Sequence, residues 1–297
     1  MFSKKTTNII HEQLIVSSFP SSEDLITISS WFLSLSVAFF VVKTILNHKK
    51  VHRSNGEGAY LGAFQITCIF PMTYVAYLGL HAWYFGALEN QTAIDRLFSI
   101  SNIQKCNKIG LVQIAFQLWD FVFSLFNSEL NKTEMLIHHA MTGLLCYWML
   151  SIPFCGYYGI YFMGCSEASS LPLCVVDFFR FYPEYGAKKY AIFNTFCSLL
   201  FAFMFLWFRV IQWISYSIGY WKDALYVLNL ETLPTTNVPR FVIMSVLVLN
   251  IFFTVLQLVW CTMILKEARN MFFGTQQDGK GKNEEPAASK MQKKKNK

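Results

Sequence analysis

Charge is scarce in this chain. Of 297 residues only 14% are charged, while 54% are hydrophobic and 17% aromatic, with a mean hydropathy of +0.35. A soluble domain carries about 25% charged residues, and a chain this poor in charge cannot cover a globular surface with it. Other patterns are missing too. The eight cysteines are scattered without a CxxC pair, so neither a disulfide framework nor a zinc site is expected. In apolar spans such cysteines act as small hydrophobes. No HExxH spacing exists, and no metal is expected. No short alternating strands suggest an outer-membrane barrel. DRY-like and NPxxY-like motifs are absent, which argues against a G-protein-coupled receptor. The net charge of +7 gathers at "KMQKKKNK", so it does not point to nucleic acid.

Long apolar runs fill the space these absences leave. A helix crosses the bilayer with about 20 apolar residues. About seven runs qualify on that rule: Leu25–Leu46, Tyr60–Tyr84, Lys108–Phe126, Met135–Ile152, Gly156–Val176, Tyr190–Ser215 and Phe241–Leu265. The expected fold is an all-α membrane protein of about seven transmembrane helices in a bundle around a polar, lipid-accessible cavity. Residues 1–24 read as a short polar lumenal N-terminus, 25–268 as the membrane domain, and 269–297 as a disordered basic cytosolic tail. The polar start lacks the pattern of a cleavable signal. "SSED" before the first run suits a helix start.

Lys and Arg favour cytosolic loops. Lys49, Lys50 and Arg53 follow the first run, Arg180, Lys188 and Lys189 the fifth, and the basic tail the seventh. This bias places the N-terminus in the lumen and the C-terminus in the cytosol. Asn90-Gln91-Thr92, a glycosylation sequon, then falls in the lumen, and Asn131-Lys132-Thr133 on the cytosolic side, where it goes unused. Lys294 and Lys295 stand fourth and third from the end, as in dilysine signals that retrieve proteins to the endoplasmic reticulum. The alternative is a generic solvated tail.

Polar residues inside the runs are few. Gln113, Gln117 and Asp120 share one helical face at i, i+4, i+7, as do Asn250, Thr254 and Gln257. His138 and His139 open the fourth run, Glu167 and Ser170 share a face in the fifth, and Arg209 and Gln212 lie a turn apart in the sixth. Five successive stripes suggest one shared polar interior. Hydrogen bonding that merely holds the bundle together suffices for the Gln, Asn and Thr positions. Asp120, Glu167, Arg209 and the histidines cost more to bury, about 2.5–3.5 kcal/mol for a charge on insertion scales. A functional cavity is expected of them, although Glu167 and Arg209 also suit a structural ion pair. Asp120 and the histidines come out at similar depth toward the cytosol, Glu167 near mid-span and Arg209 nearer the lumen. A carboxylate beside an imidazole fixes its tautomer and makes it a better base. Neighbouring helical residues point about 100 degrees apart, so one histidine reacts or ligates and the other supports it.

"MLIHHAMTGLLCYWM", "GYYGIYFMGCSEASSLPLCVVDFFRFYP" and "FAFMFLWFRVIQW" together resemble the TLC-domain family. The marks are His138-His139, Glu167-Ala168-Ser169-Ser170, Arg209 and the "WDF" around Asp120, in that family's order and spacing. The resemblance covers the second to the seventh run, about residues 60–266. That group includes ceramide synthases, translocon-associating membrane proteins, a cargo protein of neuronal ceroid lipofuscinosis and several lipid-related proteins. It implies an endoplasmic-reticulum bundle of at least six helices around a lipid-accessible cavity, with membrane lipids as partners. In the synthases the His pair is implicated in moving an acyl group from acyl-CoA to a sphingoid amine. On that reading His138, His139 and Asp120 are catalytic and acyl-CoA is a substrate, with no resident cofactor. The chain departs from the synthases at "GCSEASSL", which lacks their His-Asp segment and the following Asp, and it has no homeobox-like insert. It therefore resembles the non-synthase branch, and the expected function is to bind, sense or traffic a membrane lipid. Gln113, Gln117, Glu167, Ser170, Arg209 and Asn250 then line the lipid cavity. A cargo receptor cycling from the endoplasmic reticulum is the remaining reading, with a cargo protein or a second copy of the chain as partner.

Overall fold

The computed structural model describes residues 20–49, 59–233 and 238–273. They fall into two units, Met1–Gln257 and Leu258–Lys297. The described part of the second is the end of the last helix. Among the described residues there are helices and no strand. They are α1 Ser22–His48, α2 Tyr60–Phe85, α3 Ala93–Phe98, α4 Ile100–Leu125, α5 Thr133–Ser151, α6 Gly156–Met163, α7 Ser170–Phe181, α8 Ala191–Met204, α9 Trp213–Leu228 and α10 Arg240–Phe273. A 3-10 turn at Cys165–Ser169 joins α6 to α7, and π-helical segments at Glu184–Lys189 and Phe205–Gln212 flank α8.

The helix starts follow local chemistry. Ser21 accepts from the Asp24 N–H while the Asp24 carboxylate accepts from the Ser21 N–H, a reciprocal cap at the expected "SSED". Thr92 and Asp95 do the same for α3, and Ser99 caps α4. Helix α2 lacks a local side-chain cap. Its Gly62 N–H instead donates to the buried Tyr182 hydroxyl, 120 residues away in the chain.

Six helical stretches are long and apolar enough to cross a membrane: Ser22–His48, Tyr60–Phe85, Ala93–Leu125, Gly156–Phe181, Ala191–Leu228 and Arg240–Arg269. The expected count of about seven is thus reduced by one. The missing one is α5, a 19-residue helix whose Glu134, His138, His139 and Thr142 lower its hydropathy. Its geometry is nonetheless that of a full return pass. His139 faces Gln117 and Asp120, Gly143 faces Gln117, and Leu150 faces Gly110, so α5 lies antiparallel along α4. Its length of about 28 Å approaches the hydrocarbon thickness of about 30 Å. Helix α6 then turns back parallel to α4, with Gly156 against Asn102 and Ile103, and Gly159 against Cys106.

Two boundaries differ from expectation. Helix α4 starts at Ile100 rather than Lys108, because Ser99 caps it there. The sixth run does not stop at Ser215. It continues as α9 to Leu228, because Ser217, Tyr220, Asp223, Ala224 and Val227 are buried. Arg209 therefore sits near the middle of a continuous stretch, Ala191–Leu228, and not toward its C-terminal end.

The α6–α7 pass is broken in the middle. Past Met163 the backbone tightens, and the Glu167 N–H bonds Gly164 O at 3.1 Å, one residue short of the α-helical pattern. The break rests on α2. A Cβ added to Gly79 would lie 2.4 Å from the Gly164 carbonyl carbon, so the two backbones touch.

Candidate functional site

His139 is the centre of the first polar network. It is 9% exposed and projects from α5 toward α4. Its Nδ1 lies 2.7 Å from Gln117 Oε1 and its Nε2 3.1 Å from Asp120 Oδ1. Gln117 donates through Nε2 to Gln113 Oε1 at 3.4 Å, and Gln113 donates to the Met163 carbonyl at 3.0 Å. That direction makes Gln117 Oε1 an acceptor, so His139 carries its proton on Nδ1. Ser124 donates to Asp120 Oδ1 at 3.0 Å. The i, i+4, i+7 face of α4 thus becomes a chain from Asp120 to the carbonyl at the edge of the α6–α7 break. Each ring nitrogen of His139 thus has a polar neighbour on α4.

His138 points elsewhere, as the helical offset requires. Its half-buried ring meets Phe253 of α10 edge-on, with centroids 5.6 Å apart at 89°. Phe253 also walls a cavity of about 20 Å3 between α5, α6, α9 and α10. Met149, Phe162, Trp213, Tyr220 and Asn250 line it further. It has room for about one water and no acyl chain.

The second network closes the broken pass onto the sixth stretch. Arg209 donates from Nη2 to Glu167 Oε2 at 2.8 Å and to Ser170 Oγ at 3.0 Å, and from Nε to Ser169 Oγ at 2.8 Å. Ser170 donates to the same Glu167 oxygen at 2.6 Å. The π-helical segment delivers Arg209 here, and Tyr161 donates to Phe208 O and Gln212 Oε1 within it. Glu167 and Arg209 are level, which corrects the expected lumenal offset of Arg209. In the third network Trp221 donates to Asn250 Oδ1 at 2.7 Å and Trp213 to Thr254 Oγ1 at 3.0 Å, joining α9 to α10.

Residues 62–266, more than two thirds of the chain, match the family described as the TLC domain. The chain belongs to the TLC-domain family. A comparison with curated proteins finds no match. The TLC domain of this chain begins inside α2 and leaves α1 outside it.

Within this TLC domain the expected polar interior is not one space. Asp120, His139, Gln117 and Gln113 come together, and so do Glu167, Ser170 and Arg209. Asn250 belongs to the α9–α10 seam, although it also touches the cavity. Asn90 is exposed in the loop between α2 and α3, and Asn131 lies in the loop at the other end of α4. Lys294, Lys295, Lys50 and Arg53 lie outside the described residues. A fourth cluster went unforeseen. Arg96 makes a two-pronged ion pair with Asp223, at 2.5 and 2.8 Å, and Tyr158 donates to Asp223 at 2.7 Å. Asp223 escaped notice because its stretch falls past the expected end of the sixth run.

The buried Asp120–His139 contact has a measurable consequence. Asp120→Asn keeps a neutral partner for Nε2 and should stay within about 1 kcal/mol of the parent protein in thermal unfolding. His139→Ala takes the donor from the buried Gln117 Oε1 and leaves Asp120 with Ser124, and should cost about 1–3 kcal/mol. Equal melting of the two variants would refute the bracing role of His139.

Proposed function

We propose that this TLC-domain protein binds and regulates a membrane lipid, as a non-catalytic member of its family. The observation that carries this reading is the saturation of His139. Its two nitrogens are held by Asp120 and Gln117, and Glu167 is held by Arg209, so the polar groups brace the bundle and leave no second base beside His138. The missing synthase Asp residues agree with it. The lipid sits at the apolar cavity that Phe253 walls, with His138 against that ring. Its entry moves the Phe253 ring and the Met149 and Met163 side chains, which adapt readily. We place the chain in the endoplasmic-reticulum membrane with a cytosolic C-terminus, from the lysine bias and Lys294-Lys295.

Native mass spectrometry of the protein purified in mild detergent tests this reading. One lipid class should be retained above its share of the membrane. Protein without enriched lipid sinks the proposal. In cells, Lys294→Ala with Lys295→Ala should shift the protein toward the Golgi, and glycan should appear on Asn90 but not Asn131.

One observation favours a second reading, a ceramide-synthase-type N-acyltransferase. His138 is backed by a histidine that is itself oriented by a carboxylate, as a base or acyl carrier requires. Acyl-CoA and a sphingoid base should then yield a product that His138→Ala abolishes. No product with purified protein removes this reading.

A further inference from the structure

At the end of the bundle opposite His139, a line of contacts runs from water to the cavity. Arg96 comes first, with its side chain 25% exposed, and its Nη1 donates to Asn90 O at 2.6 Å. Asp223 is next, 6% exposed, held by Nε and Nη2 of Arg96 and by the Tyr158 hydroxyl. The Tyr158 ring packs edge-on against Tyr220, with centroids 5.4 Å apart. Tyr220 lines the cavity, and its buried hydroxyl has no hydrogen-bond partner among the described residues. Such a group calls for a partner molecule.

The same cluster also holds the cavity wall. Arg96 belongs to the six-residue α3, and the carbonyl of its neighbour Leu97 accepts from the Cys155 N–H at 2.7 Å. Cys155 lines the cavity, with its backbone in the left-handed region at φ 68°. A conformation that non-glycine residues rarely adopt persists only while its surroundings hold it. The α3 contact is part of that hold, and the Arg96–Asp223 pair clamps α3 to α9.

We propose that Arg96, Asp223 and Tyr158 form a latch that closes the cavity toward the end of the bundle opposite His139, and that opening it admits water to the Tyr220 hydroxyl. This does not depend on which lipid the protein binds. With the pair intact, α3 and the Cys155 loop stay seated. With it broken, α3 separates from α9, the loop relaxes and the cavity meets water. Such local opening needs no global unfolding.

Cys155 is a native reporter. The purified full chain is treated with a water-soluble maleimide, and each cysteine is read by peptide mass spectrometry. Asp223→Asn removes a charge-assisted pair and should raise Cys155 labelling at least about tenfold. Tyr158→Phe, which removes one bond and no charge, should raise it less. Cys68 and Cys174, buried on α2 and α7, should label as slowly as in the parent protein. Labelling of Cys155 at the parent rate in a folded Asp223→Asn protein overturns the latch. So does a rise in Cys155 that Cys68 and Cys174 match in both variants, because that is general loosening.

Discussion

Replacing Arg209 with alanine is expected to cost about 3–5 kcal/mol, the range for breaking a buried ion pair from one side. Exposure places the pair in that regime. The Arg209 and Glu167 side chains are 9% and 13% exposed, unlike surface pairs that contribute little. The loss does not stop at the pair. Ser169 and Ser170 lose their guanidinium donors, and the Glu167 oxygen keeps only the Ser170 hydroxyl. A carboxylate left in the middle of a membrane bundle is what the cost measures. In a domain of 150–250 residues this corresponds to a melting drop of roughly 6–20 °C, and a similar fall is expected here in detergent. The pair Arg209→Met with Glu167→Gln removes both charges together and should recover most of it. Near-parent melting of Arg209→Ala would show that the pair contributes nothing to stability. A folded double variant that no longer retains lipid would separate a binding role from a bracing one.

How much of this was legible in the chain depends on what periodicity can report. It reports faces. The Gln113–Gln117–Asp120 face and the Glu167–Ser170 face both exist as expected. The nearness of Asp120 to His139 was also legible, because the two lie equally far from a short loop, and antiparallel neighbours meet at equal distance from their turn. Periodicity does not report which distant helix a face will meet. Arg96 and Asp223 are 127 residues apart, and nothing in either local pattern names the other. Nor does it distinguish one polar interior from several. Each stripe closes on its nearest donors: α4 on α5, the broken pass on Arg209, and α10 on the indoles of α9. Buried polar groups take the closest partner because an unmade bond is costly. The shortfall of α5 in hydropathy has the same origin. One of its polar residues, His139, meets α4, and a count of apolar residues cannot see that it is paired.

Gly79→Ala should destabilise the protein, although alanine favours helix over glycine by about 1 kcal/mol. The two effects have opposite sign, and space decides between them. At Gly79 the new Cβ would lie 2.4–2.5 Å from the backbone of Gly164 and Cys165, distances that no side-chain rotation relieves. The α2 and α6–α7 passes must part, and with them the break that holds Glu167 against Arg209. Overpacking of this kind costs typically about 1–3 kcal/mol, occasionally more, and a backbone contact belongs at the upper end. Gly143 gives the opposite result in the same bundle. A Cβ there meets only Gln117 Cβ at 3.7 Å, an ordinary contact. Gly143→Ala should therefore stabilise α5 by about 0.5–1 kcal/mol through helix propensity alone. Thermal unfolding of the two variants side by side checks both signs. A Gly79→Ala protein as stable as its parent would mean that the α2 crossing yields where its backbone contact says it cannot. The α6–α7 break would then need another cause than the close approach of Gly79.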